Sequence, residues 1–148
     1  MQNRILVPID LSHEATFDLI FSSTAAMARR HAAELHLLTV VPEAMAAWPY
    51  VPRGFVDDAR KLAESQLAEI AGLEYGDDIR WHSEAVIGPV ATTIVEQAAR
   101  VDAGLIAIAS HDPKMTDLLL GGTADRVLRR AHTSVLVLRH GTGWDWAQ

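Results

Sequence analysis

Short apolar runs alternate with longer amphipathic segments along the whole chain. The runs are rich in β-branched residues and bounded by polar, Gly or Pro positions, which is typical of buried strands. They predict five strands, at residues 5–9, 35–41, 79–86, 105–109 and 134–138.

The segments between them carry apolar residues at i, i+3, i+4 and i+7, which predicts four helices. Ser12 is the expected N-cap of the first helix, which ends near Arg30. The second covers about 55–71, with Gly72 and Gly76 bracketing its end, the third starts at Gly88-Pro89, and the fourth runs from 121 to about 131. The inward stripes are Phe17, Ile20, Phe21, Thr24, Met27 and Ala28, then Phe55, Ala59, Leu62, Ala63, Leu67 and Ile70, then Val90, Ile94, Val95 and Ala98, and lastly Ala124, Val127, Leu128 and Ala131.

Strict alternation of strand and helix predicts an α/β fold, a single-domain open parallel sheet with helices on both faces. The uninterrupted apolar strands at Ile5 and Leu105 belong in the middle, and the third strand, with polar residues at alternate positions, belongs at an edge. We therefore expect five strands in the order 3-2-1-4-5. The domain covers 1–140 and leaves 141–148 as a tail, in which Trp144 and Trp146 have no assigned role.

This order places a candidate ligand site between strands one and four, because such sheets bind ligands beyond the strand ends where the strand order reverses. Gly121, Gly122 and Thr123 open the last helix there. Backbone amides at a helix start attract anions, glycine lets a phosphate approach closely, and the Thr123 hydroxyl would cap the helix or bond a phosphate oxygen. The alternative is a plain helix start.

Other residues at this crevice allow more than one interpretation each. Asp10 would bond a ribose hydroxyl or hold a divalent cation through water, or it is a turn carboxylate. Val40 and Val41 would form an apolar wall for a base, or they are only core. His111 would bond a phosphate, act as an acid–base group or stay solvated. No catalytic spacing accompanies it, so catalysis is the least favoured role.

Composition narrows the classes of function. The chain of 148 residues is 49% hydrophobic and has no cysteine, which excludes disulfides, thiol catalysis and cysteine zinc sites. A net charge of −6 argues against nucleic-acid binding. No apolar run approaches membrane-spanning length and no leader precedes the first strand, so we expect a cytoplasmic protein without membrane insertion.

Several stretches resemble the universal stress protein family, and the resemblance covers nearly the whole chain. They are residues 5–10, the strand end at 38–42, the segment from Ser110 to Thr123, and Arg129-Arg130-Ala131-His132 leading into 134–139. The implied fold is Rossmann-like and similar to the adenine nucleotide alpha hydrolases. The family usually forms a homodimer through the last strand, here Val135, Leu136, Val137 and Leu138.

The nucleotide-binding branch of this family carries G-x2-G-x9-G-[ST]. This chain has Ala109 and Asp112 at the first two glycines, a spacing one residue shorter, and Gly122 before Thr123. Its Ala-Ser-His-x-Pro loop resembles a subgroup that still binds ATP. Asp112 would point outward, be neutralised by Lys114, or be bridged to phosphate by Mg²⁺. The implied ATP-binding residues are Pro8, Ile9, Asp10, Val40, Ala109, Ser110, His111, Lys114, Gly121, Gly122 and Thr123.

The sequence thus favours an ATP-binding, nucleotide-sensing regulatory protein of the stress response. The alternative is a dimeric interaction module of the same fold with a degenerate pocket. An enzyme, at most a slow ATPase, is the third hypothesis.

Overall fold

The computed structural model describes residues 3–47, 49–110, 121–141 and 144–146. Five strands alternate with four helices. In chain order they are β1 Arg4–Pro8, α1 Phe17–His31, β2 Glu34–Pro42, α2 Phe55–Glu74, β3 Trp81–Gly88, α3 Val90–Arg100, β4 Leu105–Ala109, α4 Gly122–Arg130 and β5 Ser134–Leu138. Short 3-10 turns at Glu14–Thr16 and Glu43–Ala47 precede α1 and follow β2.

The strands form one parallel sheet in the order β3-β2-β1-β4-β5, which confirms the predicted order. Its two faces support separate cores. Ile5, Val7 and Leu35 pack under α1 and α2, whereas Leu6 and Ile106 pack under α3 and α4. Successive side chains of a strand point to opposite faces. The central strands are therefore continuously apolar because each face is covered by helices.

The first helix begins later than predicted. Its N-cap is Thr16, and no side-chain hydrogen bond caps it. The Ser12 hydroxyl instead donates to Asp10 Oδ1 over 2.6 Å. The prediction that Ser12 caps α1 is therefore wrong, because an acceptor two residues earlier in the chain competes for its hydroxyl.

The second helix runs on to Glu74, so Gly72 lies inside it rather than at its end. A Cβ at Gly72 would meet no atom within 4 Å, consistent with a solvent-facing position. Phe55 and Leu62 were predicted to face inward but are 42% and 61% exposed. The sheet instead buries Leu67 and Ala71, near the other end of the helix. The hydrophobic period was therefore right and the width of the buried stripe was overestimated.

The start of β3 and the buried face of α4 also differ from the prediction. β3 starts at Trp81, two residues after the predicted position, and its place at the sheet edge is confirmed. In α4 the buried side chains are Ala124 and Val127, while Leu128 is 40% exposed, against the predicted stripe. A helix of nine residues against the sheet buries only its narrow inner face.

The tail residue Trp146 packs against the core cluster on the α1 side of the sheet. Its ring makes an edge contact with Trp144, with centroids 5.8 Å apart. This gives Trp146 a structural role that the sequence did not indicate. Among the described ranges, no helix is long and apolar enough to cross a bilayer.

Candidate functional site

A cleft of about 430 Å³ lies beyond the carboxyl ends of the central strands. This is where the strand order reverses, the position at which such sheets bind ligands. Its size falls in the ordinary range for small-molecule sites. The lining comes from five parts of the fold: Pro8, Ile9, Asp10, Leu11, Ser12, Thr16 and Ile20; Leu38, Thr39, Val40, Val41 and Pro42; Ala59, Ala63 and Gln66; Val90 and Ile94; and Ile108, Ala109, Ser110, Gly121, Thr123 and Ala124.

Asp10 follows the end of β1 and is held by a local network. Its Oδ1 accepts hydrogen bonds from the Ser12 backbone N–H at 3.0 Å and from the Ser12 hydroxyl at 2.6 Å. Its Oδ2 lies 2.8 Å from Nδ1 of His13. The Asp10 side chain is still 45% exposed, so it faces the cleft as a partly accessible acceptor.

The network also keeps this carboxylate ionised. Partial burial acts to raise the pKa of Asp10, but the hydrogen bonds from Ser12 and the neighbouring His13 outweigh it and lower the pKa below its ordinary value. An ionised carboxylate only accepts hydrogen bonds. Asp10 therefore offers acceptors to a hydroxyl-bearing ligand near neutral pH.

The opposite wall is the start of α4. Gly121 is the N-cap residue, with φ −53° and ψ 145°, and no side chain of the described residues caps the helix. The Gly121 N–H donates to the Ser110 hydroxyl over a long 3.3 Å. The first-turn amides of a helix have no intrahelical acceptors and carry partial positive charge. Thr123 lies inside the helix, so its hydroxyl does not cap it, and the phosphate role remains a prediction.

Neither glycine is needed for the fold of this wall. A Cβ on Gly121 would lie 3.7 Å from Ser110 Oγ, and one on Gly122 would meet no atom of the described residues within 4 Å. Their backbone angles are also open to L-residues, because the positive-φ glycines of the described chain lie elsewhere. The missing side chains therefore leave open space at the mouth of the cleft, which suits a ligand that approaches the backbone.

Charge near the helix start is partly balanced. Asp125 stands in the first turn of α4 and is not among the residues that line the cleft. Arg129 pairs with it, with its Nε 3.1 Å from Asp125 Oδ2. In the part of the chain that the structure describes, no three His, Asp or Glu side chains group closely enough to hold a metal ion.

The predicted site residues largely meet at this cleft. Pro8, Ile9, Asp10, Val40, Ala109, Ser110, Gly121 and Thr123 all line it. Gly122 is exposed beside it and does not line it. His111 and Lys114, like Asp112 and Trp48, lie outside the described residues.

Sequence reasoning missed the residues that α2 and α3 contribute to the lining, those of α3 being Val90 and Ile94. Those of α2 are Ala59, Ala63 and Gln66, which close the cleft from the side. Ala59 and Ala63 were placed in the core stripe, yet small residues four apart also signal a helix that leaves room at its surface. Ser12 was expected at the crevice and lines it, but its hydrogen bond to Asp10 was missed, because Ser12 was assigned to capping although an Asp two residues earlier favours a local hydrogen bond.

Known proteins share this fold and sequence pattern. The sequence model of the universal stress protein family matches residues 1–139. Universal stress protein G of Salmonella typhimurium is 28% identical over 143 residues, covering 94% of this chain and all of the relative. The chain is similar in structure to the hypothetical protein MJ0577, with a TM-score of 0.77 at 23% identity over 96% of this chain and 99% of that one.

A universal stress protein from Archaeoglobus fulgidus, solved in complex with dAMP, has a TM-score of 0.64 at 18% identity, over 92% of this chain and 97% of that one. At such identities the two solved structures show the fold alone. The family match, in contrast, extends over all five strands and the cleft between them. The chain therefore belongs to the universal stress protein family.

Proposed function

We propose that this protein binds an adenine nucleotide, with ATP as the preferred ligand, and acts as a nucleotide-sensing regulatory protein rather than an enzyme. One observation carries the proposal: a single cleft of about 430 Å³ has an ionised carboxylate on one wall and an uncapped helix start on the other. A nucleotide has hydroxyl donors at its ribose and acceptor oxygens at its phosphates. The two walls match these two ends.

The orientation of the nucleotide follows from this match. The ribose lies toward Asp10, and the phosphates lie toward Gly121, Gly122 and Thr123. The base lies against the apolar end of β2, where Val40 and Val41 line the cleft. The dAMP complex of the Archaeoglobus fulgidus protein supports an adenine nucleotide as the ligand class.

The segment between β4 and α4 is part of the proposal. Its Ala-Ser-His-x-Pro sequence resembles that of an ATP-binding subgroup of the family, and His111 and Lys114 would be further phosphate contacts. Lys114 or a Mg²⁺ ion carried by ATP would offset the charge of Asp112. Nucleotide occupancy would then be signalled by a change in the surface of the protein or in its dimer, without hydrolysis of the nucleotide.

Isothermal titration calorimetry tests the proposal directly. Wild-type protein is titrated with ATP, ADP and AMP in Mg²⁺ buffer, and affinity should fall as phosphates are removed. Asp10→Ala should weaken ATP binding about tenfold or more, because a hydrogen bond to a charged group is worth ~1.5–3 kcal/mol. Asp77→Ala makes the same change in charge in an exposed turn before β3 and should bind like wild type. An absence of heat at millimolar ATP would favour the degenerate-pocket alternative.

We also propose a homodimer formed through β5. This strand pairs with β4 on one side only, and Val135, Leu136 and Val137 are partly buried at the sheet edge. An apolar edge strand exposes unpaired backbone groups, and pairing with a second copy would satisfy them.

The dimer is tested by analytical ultracentrifugation. Val137→Lys should shift the protein from dimer to monomer, because charged side chains on an edge oppose strand pairing. Val86→Lys is the matched control, since Val86 lies on the opposite edge strand and both valines pack against the same core cluster. A wild-type monomer at tens of micromolar would contradict this proposal.

A further inference from the structure

The carboxylate of Asp10 is nearly saturated before any ligand arrives. An ionised carboxylate has about four acceptor positions, two on each oxygen. Oδ1 accepts two hydrogen bonds, both from Ser12, at 3.0 Å and 2.6 Å. Oδ2 lies 2.8 Å from Nδ1 of His13. Within the described residues, these contacts leave one acceptor position, and it belongs to Oδ2.

The donor roles in this network are fixed by elimination. Asp10 only accepts, so the single proton of the Ser12 hydroxyl is used on Oδ1. The Ser12 oxygen then accepts in its 3.0 Å contact with His13 Nδ1. These two neighbours of Nδ1 among the described residues are both acceptors, which assigns the proton to Nδ1 of His13. His13 is therefore a donor to Asp10.

The backbone holds His13 in place independently of a ligand. Its N–H donates to the Asp10 carbonyl at 3.1 Å, and its own carbonyl accepts from the Thr16 N–H at 3.0 Å and the Thr16 hydroxyl at 2.8 Å. Thr16 is buried. The loop from β1 to α1 is thus fixed at both ends, and the imidazole is presented to Asp10 from a rigid turn.

Carboxylates recognise a ribose in two ways. In one, each oxygen accepts one of the two vicinal hydroxyls, which requires an open position on both oxygens. In the other, a single hydroxyl is bound by one oxygen. The two hydrogen bonds from Ser12 fill both acceptor positions of Oδ1, so only the binding of a single hydroxyl by Oδ2 remains possible.

We propose that Ser12 and His13 are positioning residues. They leave the Asp10 carboxylate able to accept a hydrogen bond from one ribose hydroxyl, through Oδ2, and from no second one. This inference rests on the proposed nucleotide function and specifies the sugar selectivity of the same site. Ser12 blocks Oδ1, and His13 fixes which way Oδ2 points.

Titration with three nucleotides tests the selectivity: ATP, 2′-deoxy-ATP and 3′-deoxy-ATP, at one Mg²⁺ concentration. With wild-type protein, one deoxy analogue should bind about tenfold more weakly than ATP, the worth of one hydrogen bond to a charged acceptor. The other should bind within about twofold of ATP, since its missing hydroxyl has no acceptor on Asp10.

Ser12→Ala supplies the sharpest variant. It removes the hydroxyl donor and opens a position on Oδ1, while the backbone N–H of residue 12 is retained. Asp10 should then accept a hydrogen bond from each ribose hydroxyl, so that both analogues bind more weakly than ATP. A selectivity unchanged from wild type would show that Ser12 does not block Oδ1.

His13 is tested by its effect on discrimination. His13→Ala should let the carboxylate rotate, so the ratio between the two analogues should fall below about threefold. His13→Asn keeps an amide donor and should restore the wild-type ratio. His31→Ala, an exposed histidine whose described hydrogen bond is through its backbone carbonyl, is the control and should leave the ratio unchanged.

Failure of this inference is distinguishable from failure of the proposed function. If wild-type protein gives no heat with ATP, the nucleotide function itself is wrong. If ATP binds and both analogues bind more weakly by the same factor, Asp10 accepts hydrogen bonds from both hydroxyls and the inference is overturned. It is also overturned if ATP binds and neither analogue weakens. In both of the last cases the nucleotide function stands.

Discussion

The two walls of the cleft are built in opposite ways. At the end of β1, Ser12 and His13 place three hydrogen-bond contacts on the Asp10 carboxylate, two from their side chains and one from the Ser12 backbone N–H. At the start of α4, side chains are missing: the cap residue is Gly121, and the next residue is Gly122. One wall presents a preorganised negative charge, and the other presents backbone amides with partial positive charge.

The two walls should therefore lose ligand binding through different kinds of substitution. The Asp10 wall depends on atoms that are present, so deleting side chains should damage it. The α4 wall depends on atoms that are absent, so adding side chains should damage it. It also gives the cleft a polarity, which a ligand with donors at one end and anionic acceptors at the other would match.

The largest effect is expected from Gly121→Asp, because Gly121 lines the cleft at the helix start. A carboxylate about 4 Å from a phosphate oxygen costs ~1 kcal/mol in water and ~4 kcal/mol at an effective dielectric of 20. ATP affinity should therefore fall by about fivefold to about 700-fold, as measured by calorimetry. Folding should not suffer, because Gly121 is the N-cap of α4 and Asp is among the preferred N-cap residues.

Gly104→Asp is the matched control for this prediction. Gly104 precedes β4, at the opposite end of the sheet from the cleft, and a Cβ there would meet nothing within 4 Å. It makes the same change in charge and should keep the affinity of the wild type. Equal losses in both variants would mean that net charge, not the helix start, governs binding.

A smaller effect is expected from Gly121→Ala. The methyl group fits the protein, since its Cβ would lie 3.7 Å from Ser110 Oγ and the φ of −53° suits any L-residue. Urea unfolding should therefore show a change of less than about 1 kcal/mol. ATP affinity should fall about threefold to tenfold, because the methyl group occupies the space through which a phosphate reaches the amide. Unchanged affinity would show that phosphate does not approach this amide.

The smallest effect concerns pH and the Asp10 wall. The folded protein lowers the pKa of Asp10, so the contribution of this group to stability is present above the unfolded pKa, ~3.9. It is lost as the pH falls through the lower folded value. Since the side chain is half exposed, this contribution should stay below about 1 kcal/mol. The difference in unfolding free energy between wild type and Asp10→Asn should shrink from pH 6 to pH 3, and a constant difference would contradict it.

Much of this architecture could be predicted from the sequence. Uninterrupted apolar strands at Ile5 and Leu105 must lie between two helical layers, and this fixes the centre of the sheet. Once the strand order is known, the position of the cleft follows, and with it the meeting of Asp10 and Gly121, which are far apart in the chain.

The side of the cleft formed by α2 could not be predicted in this way. Ala59 and Ala63 satisfy the helical period, but the period does not say whether a small apolar residue faces the core or a cavity. The hydrogen bond from Ser12 to Asp10 was missed for a related reason. Ser12 is suited both to capping a helix and to a local bond with an aspartate, and only the backbone path of the turn decides between them.

Chemical shifts of backbone amides test the central claim most directly. ¹⁵N-labelled protein is titrated with Mg²⁺-ATP and, separately, with adenosine, which lacks phosphates. We expect the amide resonances of Gly121, Gly122 and Thr123 to shift strongly with ATP and little with adenosine. The amide resonances of residues near Asp10 should shift with both ligands. ATP binding that leaves the first three amides unmoved would contradict the central claim.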